Sequence, residues 1–325
     1  MYQQLKSKES KSCFTKSAMT NRRISYVLIG VFITAIILLM RQNSIDSFSY
    51  KSDTVEGYLS PSWIPELTNA FTCLRKAFKD GTSFQAAYQW YYMSSTVDKC
   101  SDKVAKILHM ETYKGDEDKF LIPGPTPNFN YTMLTLGVGH SVKAEELILK
   151  SHPSCTRYVG VDPDPAINQD LVEKLGGKFL KHVVAVDDNI GGASLLGKRG
   201  YKTVQTQHTS FVNVVKEAEL TKVIDILIMD IEGAEFGILA DMIEHPQKYP
   251  TICQMNAEIH NAFENGPEGY AIIDNLHKMA LQSRYLLLKV TQFKYSKNVF
   301  NRCFFINVKD DYCVKKYASK LFTSA

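Results

Sequence analysis

Three carboxylates fall within six residues in Asp230-Ile231-Glu232-Gly233-Ala234-Glu235, directly after the apolar run VIDILIM at 223–229. A carboxylate at the mouth of a buried strand can take a proton from a hydroxyl as a general base, and Asp230 is the first candidate. His260, in Asn256-Ala257-Glu258-Ile259-His260-Asn261, is the second, although a structural histidine is an equal reading of it. Asp230, Glu258 and His260 together also make a set of hard and borderline donors able to hold a divalent metal cation. Glu232 and Glu235 have a plainer reading as acidic residues complementing a helix N-terminus, preferred for Glu235. Upstream, Gly137 and Gly139 in Leu136-Gly137-Val138-Gly139 let the backbone turn sharply and approach a ligand without a Cβ clash. Asp162, 23 residues beyond Gly139, ends the next apolar run, where a carboxylate can accept both hydroxyls of a ribose. Its alternative is a turn residue ahead of Pro163. Position 142, where a dinucleotide fingerprint has its third glycine, is Val142, so a nucleoside ligand lacking pyrophosphate fits better. Asp187 or Asp188, after the following run, then borders the base of that ligand or lies in a solvated loop.

These residues need strands to end where the ligand sits. Apolar runs at 131–136, 157–161, 178–186, 223–229 and 251–259 alternate with helical patterns at 141–150, 165–175, 234–243 and 268–282. That alternation predicts a doubly wound, Rossmann-like α/β sheet, in which ligands bind outside the carboxyl ends of the strands. Runs at 285–293 and 301–308 have no helix between them and predict a C-terminal antiparallel hairpin. Ahead of the sheet, Leu67, Ala70, Phe71, Leu74, Ala77 and Phe78 share one helical face, and a second helix is expected around 83–93. Residues 63–130 are therefore read as a helical N-terminal extension, its last 20 residues (111–130) a loop, and 131–325 as the catalytic-type domain.

Asp-Ile-Glu-Gly-Ala-Glu after an apolar strand, with Gly137-x-Gly139 and Asp162, resembles the signature of the FkbM-type methyltransferases over about residues 131–308. The resemblance implies S-adenosylmethionine as cofactor, bound by Gly137, Gly139, Asp162 and Asp187, and methyl transfer to a hydroxyl such as those of sugars or polyketides. Methyltransferases commonly have an acidic residue two before the first glycine, where this chain has Thr135. Two rival readings follow: a Golgi glycosyltransferase using Asp162-Pro163-Asp164 as a metal and nucleotide-sugar motif, and a non-catalytic lumenal binding protein with a degenerate methyltransferase fold.

The formal charge of +4 belongs to the N-terminus. Residues 1–40 hold six basic residues and Glu9, leaving 32 basic against 33 acidic residues beyond, which excludes the basic footprint of a nucleic-acid partner. Residues 24–40 are 17 uncharged residues preceded by Arg22-Arg23, read as a transmembrane signal anchor with a cytosolic tail over 1–23 and a Ser/Thr-rich stem over 41–62. A type II protein of the Golgi or endoplasmic reticulum follows, its acceptor a lumenal glycan, glycoprotein or glycolipid. Six of the seven cysteines then face an oxidising compartment. Cys73 and Cys100 flank one helical hairpin and are expected to pair, while Cys253 and Cys303, in apolar runs, are read as free buried thiols. Asn130-Tyr131-Thr132 is an N-glycosylation sequon abutting a core strand.

Overall fold

The computed structural model describes residues 63–79, 83–197, 200–262, 269–295 and 298–323. The expected tail, anchor (24–40) and stem lie outside them, and among the described residues no helix is long and apolar enough to cross a membrane. Helices α1 (Pro65–Ala77), α2 (Ser83–Tyr91) and α3 (Met93–Leu108) come first. Strands β1 (Glu111–Lys114) and β2 (Asp118–Leu121) follow. Then come β3 (Tyr131–Leu136), α4 (Lys143–Ser151), β4 (Cys155–Val161), α5 (Pro165–Lys174) and β5 (Lys178–Leu180). Next are β6 (Val183–Ala185), β7 (Ile190–Gly197), β8 (Gly200–Ser210) and α6 (Phe211–Glu217). The chain continues through β9 (Val223–Met229), α7 (Glu235–Glu244), β10 (Thr251–Ile259), α8 (Ile272–Gln282), β11 (Tyr285–Tyr295) and β12 (Asn298–Asn307).

The main sheet has seven strands in the order β5-β4-β3-β9-β10-β12-β11. Pairing is parallel from β5 through β10, and β12 alone runs antiparallel to its neighbours, so the expected C-terminal hairpin is present. Strand order reverses at β3: β4 lies on one side and β9 on the other, which opens a crevice above their carboxyl ends. β9 is buried from Ile224 to Met229 and apolar there except for one charge, Asp225, which is 2% exposed toward the opposite end of the strand. There it accepts hydrogen bonds from Thr132 N (2.9 Å), Tyr317 Oη (2.8 Å) and Lys316 Nζ (2.8 Å), which dock the C-terminal segment.

The N-terminal helices share this core. Val97, Ser101, Val104 and Leu108 are buried on one face of α3, and Ser101 Oγ donates to Leu287 O of β11 at 2.7 Å. The Trp90 indole donates to Val299 O of β12 at 2.9 Å.

Three expectations are corrected. Residues 111–130, read as a loop, contain the β1–β2 hairpin, in register from Glu111↔Leu121 to Lys114↔Asp118. The strand expected over 178–186 divides: β5 joins the main sheet, whereas β6 pairs with β8 in a separate three-stranded sheet. The glycine-rich stretch after it forms the β7–β8 hairpin. The expected Cys73–Cys100 disulfide is present, with Cα atoms 5.4 Å apart. Cys253 is not a free thiol: it is bonded to Cys313, 60 residues on, which ties the C-terminal segment to β10. Cys303 is buried and free, as expected, and Asn130 of the sequon is exposed.

Candidate active site

A cleft of about 630 Å³ opens above the carboxyl ends of β3, β4 and β9, a size suited to a small organic ligand. Gly137 and Gly139 adopt φ of +79° and +61°. At Gly137 the need for glycine is also steric, because a Cβ there would collide with the Asp230 carbonyl oxygen. The two strand ends are stitched together: Gly137 N donates to Val161 O at 2.9 Å and Asp230 N to Leu136 O at 2.9 Å.

Asp162 is 8% exposed and acts first on the glycine loop. Its Oδ2 accepts from Val138 N (3.0 Å) and Gly139 N (3.3 Å), and its Oδ1 from Asp164 N (2.8 Å). Oδ2 is thereby saturated, and Oδ1 retains one lone pair for a further donor. Asp164 caps α5 by accepting from Ala166 N at 3.0 Å. Both carboxylates of Asp162-Pro163-Asp164 thus hold the local backbone. Of the two aspartates after β6, exposed Asp187 lines the cleft, whereas Asp188 accepts from Ser210 N (2.8 Å), Ser210 Oγ (3.1 Å) and Asn213 Nδ2 (2.6 Å) at the start of α6. Val138, Val161, Val184 and Val186 give this end of the cleft an apolar wall.

Asp230, Glu232, Glu235 and His260 meet at the other end. Glu235 is fully buried and holds His260 twice, accepting from its backbone N at 2.9 Å and bonding Nδ1 at 2.7 Å through Oε1. Its Oε2 accepts from Gly233 N at 2.8 Å, so Glu235 braces the loop as well as opening α7. The other His260 nitrogen, Nε2, lies 3.0 Å from Glu232 Oε2 and 3.6 Å from Asp230 Oδ1. Burial alone would lower the His260 pKa, but the charge of Glu235 and the bonds to Glu232 and Glu235 push it up to about 12. His260 is therefore an imidazolium across the neutral range, with no lone pair to accept a proton, and its reading as a base is corrected to that of a cation orienting carboxylates. Asp230 behaves oppositely: burial and then the charge of Glu117 push it up to about 7. Its Oδ1 has no hydrogen-bond partner, since the 3.6 Å approach of His260 is within ion-pair range only. A carboxylate of that pKa facing a cleft fits a general base. Glu232 holds φ = +56° next to it, a left-handed conformation uncommon for a residue with a side chain.

The hairpin β1–β2 supplies groups that the sequence did not single out. Glu117 and Lys119 pair at 2.5 Å and line the cleft, and Glu117 Oε1 also accepts from Arg302 Nη2 at 3.0 Å. Arg302 in turn donates from Nε to Glu258, its cross-strand partner, at 2.7 Å. Burial works to raise the Glu117 pKa, but Lys119 and the neighbouring groups hold it at about 2. Glu258, pushed up to about 8 by burial and then by Glu117, keeps its proton more readily. The hairpin is placed by side-chain amides that imitate a strand edge: Asn256 bonds Phe120 N (2.8 Å) and O (2.9 Å), and Gln254 bonds Ile122 N (2.6 Å) and O (3.0 Å).

Among the described residues, two groups of three bring ligand atoms within 4.8 Å of one another: Asp230, Glu232 and His260, and Glu117, Asp230 and Glu258. The trio expected from sequence is split between them, because Glu258 is drawn to Arg302 and His260 to Glu232 and Glu235.

Residues 88–284 match the model of the Methyltransferase FkbM domain. The chain belongs to this family. No curated protein matches it. Among solved structures it is similar to M. capricolum TrmK in complex with S-adenosyl-homocysteine, at 14% identity and a TM-score of 0.34 over 56% of this chain and 64% of that one. It is also similar to the O-methyltransferase TomG from Streptomyces achromogenes in complex with SAM, at 10% identity and a TM-score of 0.32 over 75% of this chain and 90% of that one. The chain thus spans less than two thirds of TrmK's length.

In this member of the family, the missed residues did leave a signal. Lys119 before Phe120-Leu121-Ile122, and Arg302 within β12, are charges in apolar runs, a position that requires a buried partner. Glu145 lies on the buried face of α4 with Ala144 and Ile148.

Proposed function

We propose that the chain is an S-adenosylmethionine-dependent O-methyltransferase with Asp230 as general base, acting on a hydroxyl of a lumenal glycan, glycoprotein or glycolipid. The observation that carries this reading is Asp230 itself: a cleft-facing carboxylate with an unpartnered oxygen and a pKa of about 7, next to the glycine turn of β3. The residues fit the cofactor through the side-chain-free approach at Gly137 and Gly139, the apolar wall beside Asp187, and the remaining lone pair of Asp162. When bound, S-adenosylmethionine supplies a methyl group already activated on a sulfonium.

The protein's part is alignment, exclusion of water and removal of one proton. Asp162 fixes the loop over Val138 and Gly139, so that its remaining acceptor and the backbone present a constant surface. The β7–β8 hairpin contributes Gly192, Ala193, Ser194, Leu195 and Tyr201 to the wall on one side, and the β1–β2 hairpin contributes Asp116, Glu117 and Lys119. The Asp230 carboxylate accepts the hydroxyl proton, and the imidazolium of His260, 3.6 Å from its buried Oδ1, keeps the resulting carboxyl oriented.

Anchoring through residues 24–40, with the catalytic domain in the lumen of the Golgi or endoplasmic reticulum, is part of the proposal. It is supported by the charge asymmetry around that segment and by two disulfides. Comparing glycan masses from cells with and without the protein tests the acceptor: a methyl increment should disappear, and a full set of methylated glycans at normal levels would overturn the assignment. Protease added to intact microsomes should remove only the tail, and digestion of the large domain would reverse the orientation.

A further inference from the structure

We propose that Glu145 receives the α-ammonium group of the cofactor, placed there by a hydrogen bond from Thr135. This inference rests on the S-adenosylmethionine reading and assigns a residue to the end of the ligand that the strand-tip carboxylates do not reach. The acidic residue expected two positions before Gly137 is Thr135, which is 1% exposed and has no charge to offer. Its Oγ1 instead donates to Glu145 Oε1 at 3.1 Å, so an acid from the first turn of α4 stands over the position where the strand lacks one.

Glu145 is 5% exposed and lines the cleft together with Gly137, Val138, Gly139 and Lys119. Among the described residues it has no ion pair within 4.0 Å, and the nearest cation that acts on it, Lys119, is bound to Glu117. A buried carboxylate whose side-chain hydrogen-bond partner is a neutral hydroxyl is costly unless a cation completes it. Burial accordingly pushes its carboxyl up, against the pull of its own backbone amide and of Lys119.

Position along the cleft agrees. Asp162 and Asp187 belong to the β4 side of the crevice, where the nucleoside would lie. The start of α4 abuts the β1–β2 turn, with the Gly115 Cβ position 3.0 Å from Ala144 N, and that hairpin is fixed to β10 on the opposite side of β3. A ligand crossing the glycine turn therefore has its nucleoside near Asp162 and its amino-acid tail near Glu145.

The test is calorimetry on the full-length protein with S-adenosylhomocysteine and its desamino analogue, which lacks only the ammonium group. Wild type should bind the analogue roughly 10- to 100-fold more weakly, as expected for a lost charged hydrogen bond. Glu145→Gln should lose a similar factor for S-adenosylhomocysteine and almost nothing for the analogue, so the two ligands bind alike. Thr135→Val, which keeps the carboxylate but removes its donor, should fall between. Equal weakening of both ligands by Glu145→Gln would mark a structural residue and overturn the inference, as would unchanged discrimination. If wild type bound neither ligand, the cofactor reading itself would fall, a result distinguishable from both of these.

Discussion

Replacing Glu117 by Gln should lower the pKa of Asp230, and the size of the change follows from the geometry. Ligand oxygens of the two residues lie within 4.8 Å. At an effective dielectric of about 20, two full charges at that separation repel by about 3.5 kcal/mol, equivalent to about 2.5 pKa units. Lys119 and Arg302 neutralise part of Glu117, so the field actually felt at Asp230 is smaller, and a fall of about one unit is expected. The substitution also frees Lys119 and Arg302 from a partner, which acts in the same direction. Asp230, pushed up to about 7 in the native protein, should therefore titrate about one unit lower in the variant. Carbon-13 titration of the aspartate carboxyls measures this without an acceptor, Asp230 being assigned by the resonance lost in Asp230→Asn. Once an acceptor is in hand, the limb of kcat/KM that rises with pH should move by the same amount. A folded Glu117→Gln protein whose Asp230 midpoint stayed at its native value, or rose, would refute the electrostatic account of this site.

Asp230→Asn should retain S-adenosylhomocysteine binding while methyl transfer falls by about 10² to 10⁴, the usual loss on removing a general base; retained activity would exclude that role. His260→Gln leaves Glu232 and Glu235 without their shared cation and should destabilise the fold by about 3–5 kcal/mol, read from denaturant midpoints. Because the folded-state pKa of His260 is raised to about 12, its contribution is complete below the unfolded value of about 6.5 and declines as pH rises toward 12. The stability gap between wild type and variant should therefore narrow with increasing pH, and a widening gap would contradict an imidazolium in the folded state. Cys313→Ser opens the loop closed by Cys253 across 60 residues and should cost about 4 kcal/mol in chain-entropy terms, checked by unfolding under non-reducing conditions.

The central sheet was legible because parallel strands covered on both faces announce themselves as apolar runs. β9 is VIDILIM at 223–229 in the sequence and Val223–Met229 in the fold, and β10 likewise matches its expected span at 251–259. Gly137, Gly139, Asp162, Asp187 and Asp230 could be found from type and position alone, since each ends or follows a strand. What stayed hidden depends on pairings distant in sequence. β1 and β2 are four residues each, too short for periodicity to separate from loop, and their placement comes from Gln254 and Asn256 more than 130 residues away. Cys253 looked like a free core thiol because its partner arrives from the C-terminal segment, outside the apolar pattern that surrounds it.

His260 shows why residue type alone could not assign the chemistry. Its position after β10 is equally suited to a base and to a structural cation, and the choice is made by Glu235, whose place at the start of α7 had suggested only helix-dipole complementation. With both oxygens of Glu235 turned into the loop, the histidine is held as a cation, and the base we propose is the neighbouring carboxylate, which has an oxygen without a hydrogen-bond partner. The same logic applies to Thr135. A missing acid in a strand motif indicates a degenerate site only if no other element supplies one, and Glu145 lies three residues past Val142 on the very helix that the glycine turn introduces. The functional unit is therefore the set of charges that converge on the crevice, and the strand motif contains only part of it.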